Sequence, residues 1–207
     1  MQEVFYEESA RLVNEKASAI KYNVIKGFSI FSYVVLVLWL ILSINFYGLI
    51  GIWYIDLLFI LIPALIFLSS GIVLGKLKNK MYVEFDYTFV SGDLRISKVI
   101  KNIKRRFVIK FDVKNIEKLG FYGNKTFERY TKMPGVNKLF LTSNTYSDIG
   151  KDFYYIVVNT QDGKKLLIIE CTETLIVNIL KFANRTVLDE QFTEQLKNKN
   201  KGQKWSI

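Results

Sequence analysis

The hydrophobic pattern divides the chain into a long apolar stretch and a polar region that follows it. Between Gly27 and Gly75 the sequence has a single charged residue, Asp56, in 49 residues. As one continuous helix this stretch would be about 74 Å long at 1.5 Å per residue, whereas the hydrocarbon core of a bilayer is about 30 Å thick. The pattern therefore predicts a transmembrane helical hairpin at 28–75, with spans near 28–47 and 54–75.

Positive charges flank this hairpin on one side only. The turn between the spans contains Asn45, Gly48 and Gly51 but no Lys or Arg. Because Lys and Arg beside a span favour the cytoplasmic side, we expect a multi-pass protein of the cell membrane with both termini cytoplasmic. The lysines that carry this argument precede the first span or follow the second: Lys16, Lys21, Lys26, Lys76, Lys78 and Lys80.

Two features beside the spans need an interpretation. Asp56 is interpreted as a solvated carboxylate near the positive end of the second helix, and the alternative is a role in an ion pathway. Residues 1–27 contain four glutamates and four Lys or Arg residues. We predict that this segment is cytoplasmic and forms a short amphipathic helix that leads into the membrane.

After Lys80 the hydrophobic positions alternate with polar ones, which is typical of half-buried strands. A strand near 83–89, a turn at 91–93 and two further strands predict an antiparallel meander. In the last of these strands we expect Phe107 to share one face with Ile109 and Phe111. Strands near 116–122 and 136–142 follow, with an irregular stretch between them, and a hairpin at 153–171 closes the sheet.

An amphipathic helix is predicted after the last strand. Thr172 is a favourable N-cap residue, Glu173 complements the helix dipole, and Leu175 and Ile179 contribute to an apolar face. The fold class is therefore an α+β membrane protein. Its hairpin precedes a cytoplasmic domain at 76–188, an antiparallel β-sandwich or barrel capped by a carboxy-terminal helix, and a polar basic tail at 189–207.

Composition excludes several kinds of function. The chain has no His and a single Cys, Cys171, which ends an apolar run. These counts exclude His-based acid–base catalysis, the usual zinc sites and internal disulfides, and the sequence has no Gly-rich phosphate-binding loop. We therefore expect a protein that is not an enzyme and that needs no metal or cofactor.

The positive charge is concentrated after the spans. From residue 76 onward there are 25 Lys and Arg against 14 Asp and Glu, whereas residues 1–75 contain 4 against 5. Basic residues beside an anionic leaflet each gain about 1 kcal/mol of attraction, so anionic lipid is a possible partner. Nucleic acid is not expected as a partner, because the domain is tethered to a membrane and has no recognisable nucleic-acid-binding module.

Two segments resemble a known family. Residues 87–120 (YTFVSGDLRISKVIKNIKRRFVIKFDVKNIEKLG) resemble the opening of bacterial PH-like domains, where a strand, a tight turn, an L-x-I strand and a basic hairpin succeed one another. Residues 154–188 (YYIVVNTQDGKKLLIIECTETLIVNILKFANRTVL) are similar to their closing hairpin and helix. With its two spans the chain resembles membrane-anchored PH-like proteins of Gram-positive bacteria over residues 20–187. The resemblance implies a scaffold that binds protein or lipid, without enzymatic activity.

Two clusters are candidate binding sites. The basic cluster is the candidate site for anionic lipid headgroups, and a merely solvated surface is its alternative: Lys98, Lys101, Lys104, Arg105, Arg106 and Lys110. The aromatic cluster is the candidate site for a protein partner, and packing at the end of the sheet is its alternative: Phe121, Tyr122, Phe127, Arg129 and Tyr130.

The sequence is best interpreted as a non-enzymatic, membrane-anchored PH-like module that faces the cytoplasm and binds a protein partner or anionic headgroups. A different class of function remains as the alternative. In that interpretation oligomerised hairpins form a pathway for a small solute or an ion, and the candidate residues are Asp56, Asn45 and Pro63.

Overall fold

The computed structural model describes residues 4–46, 52–101, 103–184, 186–189 and 192. They form two compact units. One is a helical unit at residues 14–83, and the other is a β-rich domain that combines residues 4–13 with the described residues from Glu84 onward.

The helical unit is an antiparallel pair of helices. Helix α1 (Glu15–Ser43) continues into a 3-10 turn at Ile44–Phe46, and helix α2 is Trp53–Met81. Both helices are long and apolar enough to cross a membrane, and only 6% of the most apolar window of each is buried. Apolar side chains exposed in this way need lipid around them, which indicates membrane association. The predicted turn residues Gly48 and Gly51 lie outside the described residues.

Polar atoms and a glycine join the two helices. The Ser29 hydroxyl donates to the Gly71 carbonyl oxygen at 2.9 Å, and Trp39 Nε1 donates to the Ile60 carbonyl oxygen at 3.2 Å. Gly71 lies against the ring of Tyr33, where a Cβ atom would approach Cε1 and Cζ to 2.9 Å. Asp56 is only 4% exposed, so the prediction of a solvated carboxylate was wrong. It fails because the Asp56 side chain is enclosed, although Trp53 and Tyr54 in the same turn of α2 are exposed.

The domain contains two four-stranded sheets, which among the described strands do not close into a barrel. The first sheet has the order β1-β2-β3-β4, and the second has the order β5-β7-β8-β6. The strands are β1 (Phe5–Ala10), β2 (Val83–Val90), β3 (Asp93–Ile100), β4 (Lys104–Asp112), β5 (Ile116–Phe121), β6 (Asn137–Phe140), β7 (Asp152–Thr160) and β8 (Gly163–Cys171). Among its described residues the domain also has helices α3 (Lys125–Lys132) and α4 (Glu173–Phe182).

The predicted meander and closing hairpin are confirmed, and their inward residues form the core. Phe85, Tyr87 and Phe89 of β2 are buried, as are Ile156 of β7 and Leu167 of β8. Helix α4 packs through buried Leu175, Ile176 and Ile179, as its apolar spacing predicts. The second sheet is mixed rather than antiparallel, because β6 pairs with β8 in parallel.

The amino-terminal segment begins as a strand and not as the predicted amphipathic helix. Strand β1 pairs antiparallel with β2, from Phe5 opposite Val90 to Ala10 opposite Phe85, and α1 begins only at Glu15. The prediction was wrong for these residues because two adjacent glutamates, Glu7 and Glu8, interrupt the alternation of apolar and polar residues that is typical of a strand. The Glu8 carboxylate instead accepts hydrogen bonds from the N–H and hydroxyl of Thr172, both at 2.9 Å. Thr172 is the N-cap residue of α4, although its side chain makes no capping hydrogen bond.

A β-bulge changes the direction of Phe107. Ile96 pairs with Ile109 but Ser97 pairs with Phe107, so Val108 is an extra residue in β4. Phe107 is 60% exposed, and the prediction that it shares the buried face of Ile109 was wrong. The reason is that a bulge shifts all side chains beyond it relative to the alternation.

Two other stretches are more ordered than predicted. The stretch predicted as irregular contains α3, whose N-cap residue Asn124 accepts a hydrogen bond from the Phe127 N–H at 2.7 Å. At the start of the predicted polar tail, Asp189 and Phe192 are buried. Asp189 Oδ2 accepts hydrogen bonds from Asn124 Nδ2 at 2.6 Å and from the Tyr155 hydroxyl at 3.0 Å.

A buried carboxylate fixes the loop between β6 and β7. Oε2 of Glu170 accepts hydrogen bonds from Thr142 Oγ1 at 2.6 Å and Asn144 Nδ2 at 2.8 Å, and Oε1 accepts one from the Asp148 N–H at 2.9 Å. Asn144 also donates to the Arg11 carbonyl oxygen at 2.7 Å. The loop therefore holds the segment that follows β1.

We predict that Gly71→Ala destabilises the helical hairpin, because the added Cβ would clash with the Tyr33 ring. Overpacking of this kind costs about 1–3 kcal/mol. The measurement is the thermal unfolding of the full-length protein in detergent. Gly75→Ala is the matched control, since a Cβ there meets only Ser29 Oγ at an ordinary 3.5 Å. Equal midpoints for the two variants would contradict the packing described.

We also predict that Glu170→Gln destabilises the domain. The three groups that bond to the Glu170 carboxylate, two side chains and one backbone N–H, all donate hydrogen bonds. A Gln amide nitrogen in place of one carboxylate oxygen would face a donor and leave it unsatisfied, at a cost of about 1–3 kcal/mol. Glu128→Gln, at an exposed position on α3, is expected to change stability by no more than about 0.5 kcal/mol. The thermal midpoints of both variants in detergent test this, and a Glu170→Gln midpoint equal to that of the Glu128→Gln variant would disprove the role of the carboxylate.

Candidate functional site

The hairpin of β3 and β4 carries the predicted basic cluster, and we call it the basic hairpin (residues 93–112). Five successive residues from its tip into β4, 103–107, are exposed. Ile103 is 81% exposed at the tip, and Lys104, Arg105 and Arg106 separate it from the exposed ring of Phe107. Lys101 enters the tip with a φ of 51°, which is uncommon for a residue other than glycine. The tip therefore presents apolar and cationic side chains together.

The six candidate cations differ in their partners. Lys110 Nζ lies 2.8 Å from Asp93 Oδ2, and Arg105 lies 3.2 Å from Asp86 Oδ2, so each has a carboxylate partner. Lys98 stands directly opposite Arg106 in the β3–β4 ladder. Like charges in that position repel and destabilise the pairing of the strands. This arrangement costs stability, and anions near the hairpin would reduce the cost.

A cavity of about 260 Å³ opens on the outward face of the first sheet. It is lined by charged, hydroxyl and aromatic residues from all four strands: Glu7, Asp86, Thr88, Arg95, Ser97, Arg105 and Phe107. The guanidinium of Arg95 lies over the Phe107 ring at 5.6 Å, a cation–π contact. We call this space the outer-face cavity.

Asp86 is the buried group of this cavity, with 6% of its surface exposed. Its Oδ1 accepts a hydrogen bond from the Ser9 hydroxyl at 2.7 Å. Its Oδ2 is buried and has no hydrogen-bond partner among the described residues, although Arg105 lies 3.2 Å away. The Arg105 contact is therefore an ion pair without hydrogen-bond geometry, and Asp86 Oδ2 can still accept a hydrogen bond.

The aromatic cluster is divided between core and surface. Tyr130 belongs to a buried cluster with Tyr155 and Val157, and Phe127 packs against that cluster. Phe121 stacks on Tyr154 at a ring-centroid distance of 5.1 Å. The two members that remain exposed are Tyr122 and Arg129. The cluster thus fastens α3 to the second sheet, and little of it is available to a partner.

A charged group also fastens α3. The hydrogen bond from Lys164 lowers the pKa of Glu117, which accepts a second hydrogen bond from the Tyr130 hydroxyl at 2.8 Å. Burial, together with Glu117, raises the pKa of Tyr130 to about 12. Tyr130 therefore stays protonated at neutral pH and remains a donor in a structural network.

The single cysteine is not in a reactive setting. Cys171 is fully buried in β8, and burial raises the pKa of its thiol well above the ordinary value. The thiolate, which is the nucleophilic form, is therefore disfavoured at neutral pH.

Sequence reasoning found the basic hairpin but missed the outer-face cavity. Its residues come from four strands, and the bulge at Val108 turns Phe107 toward it. The signal that was present in the sequence is the polar face of β2, where Asp86 and Thr88 alternate with buried aromatic residues.

Comparison with known proteins gives one match. The family described as bacterial PH-like domain (DUF6106) matches residues 2–189, which include β1, both long helices and the whole domain through α4. No curated protein and no solved structure matches the chain. Since the match extends over nearly the whole sequence, the chain belongs to the bacterial PH-like domain family DUF6106.

Proposed function

We propose that this protein is a non-enzymatic, membrane-anchored module of the cytoplasmic face whose basic hairpin binds anionic lipid headgroups. The observation that carries the proposal is the composition of the exposed tip. Ile103 is available for the boundary between headgroups and acyl chains, and Lys104 and Arg106 are available for phosphates. Apolar burial and attraction to anionic lipids are the two contributions that strengthen binding at a membrane interface.

Each basic residue contributes only a weak attraction to the lipid, but several together give a substantial binding free energy. Each basic residue near an anionic surface gains about 1 kcal/mol, so Lys101, Lys104 and Arg106 together contribute about 3 kcal/mol. The domain is connected to both membrane helices in the same chain, which raises its effective concentration at the surface. Weak contacts are therefore sufficient to orient the hairpin on a leaflet.

Protection of a sheet edge is the competing explanation of these charges. Strand β4 is an edge strand, and Lys residues and β-bulges are common devices that prevent edge-to-edge aggregation. Such protection accounts for the cations and the bulge, but it gives no role to an isoleucine that is 81% exposed at the tip. The lipid-binding proposal accounts for the cations and for Ile103, and the bulge adds the exposed ring of Phe107 to the same surface.

The pathway alternative has less support. Ser32 and Ser43 donate to carbonyl oxygens of their own helix, Phe28 and Leu40, and Ser29 donates across to α2. These hydroxyls satisfy backbone acceptors and do not line a polar channel. Asn45 is exposed and Pro63 is half-buried, whereas Asp56 is buried.

The pairing of β1 with β2 supports an even number of membrane crossings between them. Residues 5–10 and 85–90 are partners in one sheet, so both lie on the same side of any membrane that α1 and α2 cross. The lysines beside the spans favour the cytoplasmic side. A tether of this kind leaves the whole domain in the cytoplasm.

We expect single cysteines at Gln2, Gly48 and Gln203, in a background with Cys171→Ala, to react with an impermeant thiol reagent in intact cells only at Gly48. The reason is that, of the three segments that flank the spans, only the turn has no Lys or Arg. Permeabilised cells, in which all three positions should react, are the control. Labelling at Gln203 in intact cells would refute the proposed orientation.

We also expect a fluorophore on Ile103→Cys, in the same background, to be quenched by brominated lipids in nanodiscs that contain anionic lipid. Quenching should be lost in about 1 M salt, where the Debye length is about 3 Å, and in a variant with Lys101, Lys104 and Arg106 replaced by Gln. The matched control is a fluorophore on Ile149→Cys, an almost fully exposed isoleucine in a loop outside the basic hairpin. Equal quenching at both positions, or quenching that ignores salt and the Gln substitutions, would favour edge protection.

A further inference from the structure

We propose that the outer-face cavity binds a small dipolar group that carries a phosphate and a primary ammonium, as in the headgroup of an aminated phospholipid. This inference rests on the proposed function, since it names the group that the basic hairpin would select on a leaflet. The cavity volume of about 260 Å³ is slightly below the ~300–1,000 Å³ of typical small-molecule pockets, which suits a headgroup and not a larger ligand.

The charges around the cavity are balanced. Two carboxylates, Glu7 and Asp86, and two guanidiniums, Arg95 and Arg105, line the same space. An anionic ligand would meet both carboxylates, and a cationic ligand would meet both guanidiniums. A ligand with one charge of each sign matches the walls, because complementary charges give specificity.

Asp86 supplies the acceptor for the ammonium. Its Oδ1 is already used by Ser9, and its buried Oδ2 has no hydrogen-bond donor among the described residues. A buried carboxylate oxygen without a donor is costly and calls for a partner. An ammonium has three donors, so it satisfies this oxygen and keeps a donor for Glu7.

The guanidiniums supply the site for the phosphate. The Arg105 side chain is 71% exposed beside Asp86, so it is free to turn toward a ligand once an ammonium has taken its place at Oδ2. Arg95 is held over the Phe107 ring, which fixes its planar group at the edge of the cavity. Arginine forks bind phosphate through paired hydrogen bonds, and the hydroxyls of Thr88 and Ser97 are further donors in the same lining.

The bulge in β4 makes this arrangement possible. Without the extra residue Val108, Phe107 would follow Ile109 into the core, and Arg95 would lose the ring beneath it. Bulges are common beside binding sites because they redirect a side chain. The same bulge therefore turns a regular strand into one wall of the cavity.

The test is a calorimetric titration of the full-length protein in a non-ionic detergent with sn-glycero-3-phosphoethanolamine, the soluble headgroup of an aminated phospholipid. Glycerol 3-phosphate lacks the ammonium and ethanolamine lacks the phosphate, so both should bind about tenfold or more weakly, because hydrogen bonds to charged groups contribute ~1.5–3 kcal/mol. Binding of glycerol 3-phosphate as tight as that of the complete headgroup would overturn the proposal.

Three variants test the residues. Asp86→Asn keeps the acceptor for Ser9 but removes the charge, and Arg95→Gln changes an exposed residue with little risk to folding. Each should weaken binding about tenfold or more, the loss expected for a charged hydrogen bond. Lys138→Gln is the matched control, because Lys138 is an exposed cation on β6 that belongs neither to the cavity lining nor to the basic hairpin, and the affinity of this variant should match that of the parent. Unchanged affinity in Arg95→Gln would disprove the site even if Asp86→Asn failed to fold.

One further measurement identifies the source of the ligand, and comparing the titration with the quenching at Ile103 tests this proposal separately from the proposed function. Native mass spectrometry of the detergent-purified protein, offered equal amounts of phosphatidylethanolamine and phosphatidylglycerol, should show retention of the aminated lipid. Retention of neither lipid, with the soluble headgroup still bound, would support the dipolar site but assign it to a free metabolite. The soluble titration needs no membrane contact, so it can succeed where quenching at Ile103 fails, and the reverse result would overturn only the cavity.

Discussion

The structure depends on the pairing of two strands that are separated in sequence by the whole helical hairpin. Strand β1 ends at Ala10 and β2 begins at Val83, yet they form one continuous antiparallel ladder. Glu8 strengthens the connection through Thr172 at the start of α4, so the first strand contacts the end of the second sheet as well. The chain therefore cannot complete its domain until both helices have been made and the residues on either side of them lie on the same side of any membrane that the helices cross.

Much of this fold was predictable because the relevant signals are local. Two apolar helices, the alternation in β2 and β7–β8, and the spacing of Leu175 and Ile179 each reflect a period that a short window of sequence contains. The failures involve information from distant residues. Glu7 and Glu8 obscure the strand period, since the partner of Glu8 is Thr172, and the exposure of Phe107 depends on how β4 is aligned with β3. Helix α3 has only eight residues, too few for a clear period.

The candidate site was predictable in its composition but not in its geometry. The sequence shows the density of Lys and Arg between residues 98 and 110, whereas it does not show that Lys110 pairs with Asp93 and Arg105 with Asp86. Those partners reduce the number of cations available to a leaflet. The outer-face cavity was missed for the same reason, because Glu7, Asp86 and Arg95 stand on three different strands. The aromatic cluster was identified but is largely used in packing, since Tyr130 and Phe127 hold α3 on the sheet.

In the proposed function, the basic hairpin and the outer-face cavity carry two kinds of recognition at two places on the first sheet. At the tip of the hairpin, Lys104, Arg106 and Ile103 would act through net charge and apolar area, neither of which distinguishes one anionic lipid from another. In the outer-face cavity, balanced charges and a buried oxygen of Asp86 would require a particular pattern of donors and acceptors. Attraction through net charge and apolar area does not require precisely placed groups, so an exposed turn is sufficient for it. Selective binding needs fixed groups, and the ladder of four strands supplies them. In this proposal the tip of the hairpin brings the domain to a charged surface, and the cavity formed by all four strands discriminates among the headgroups.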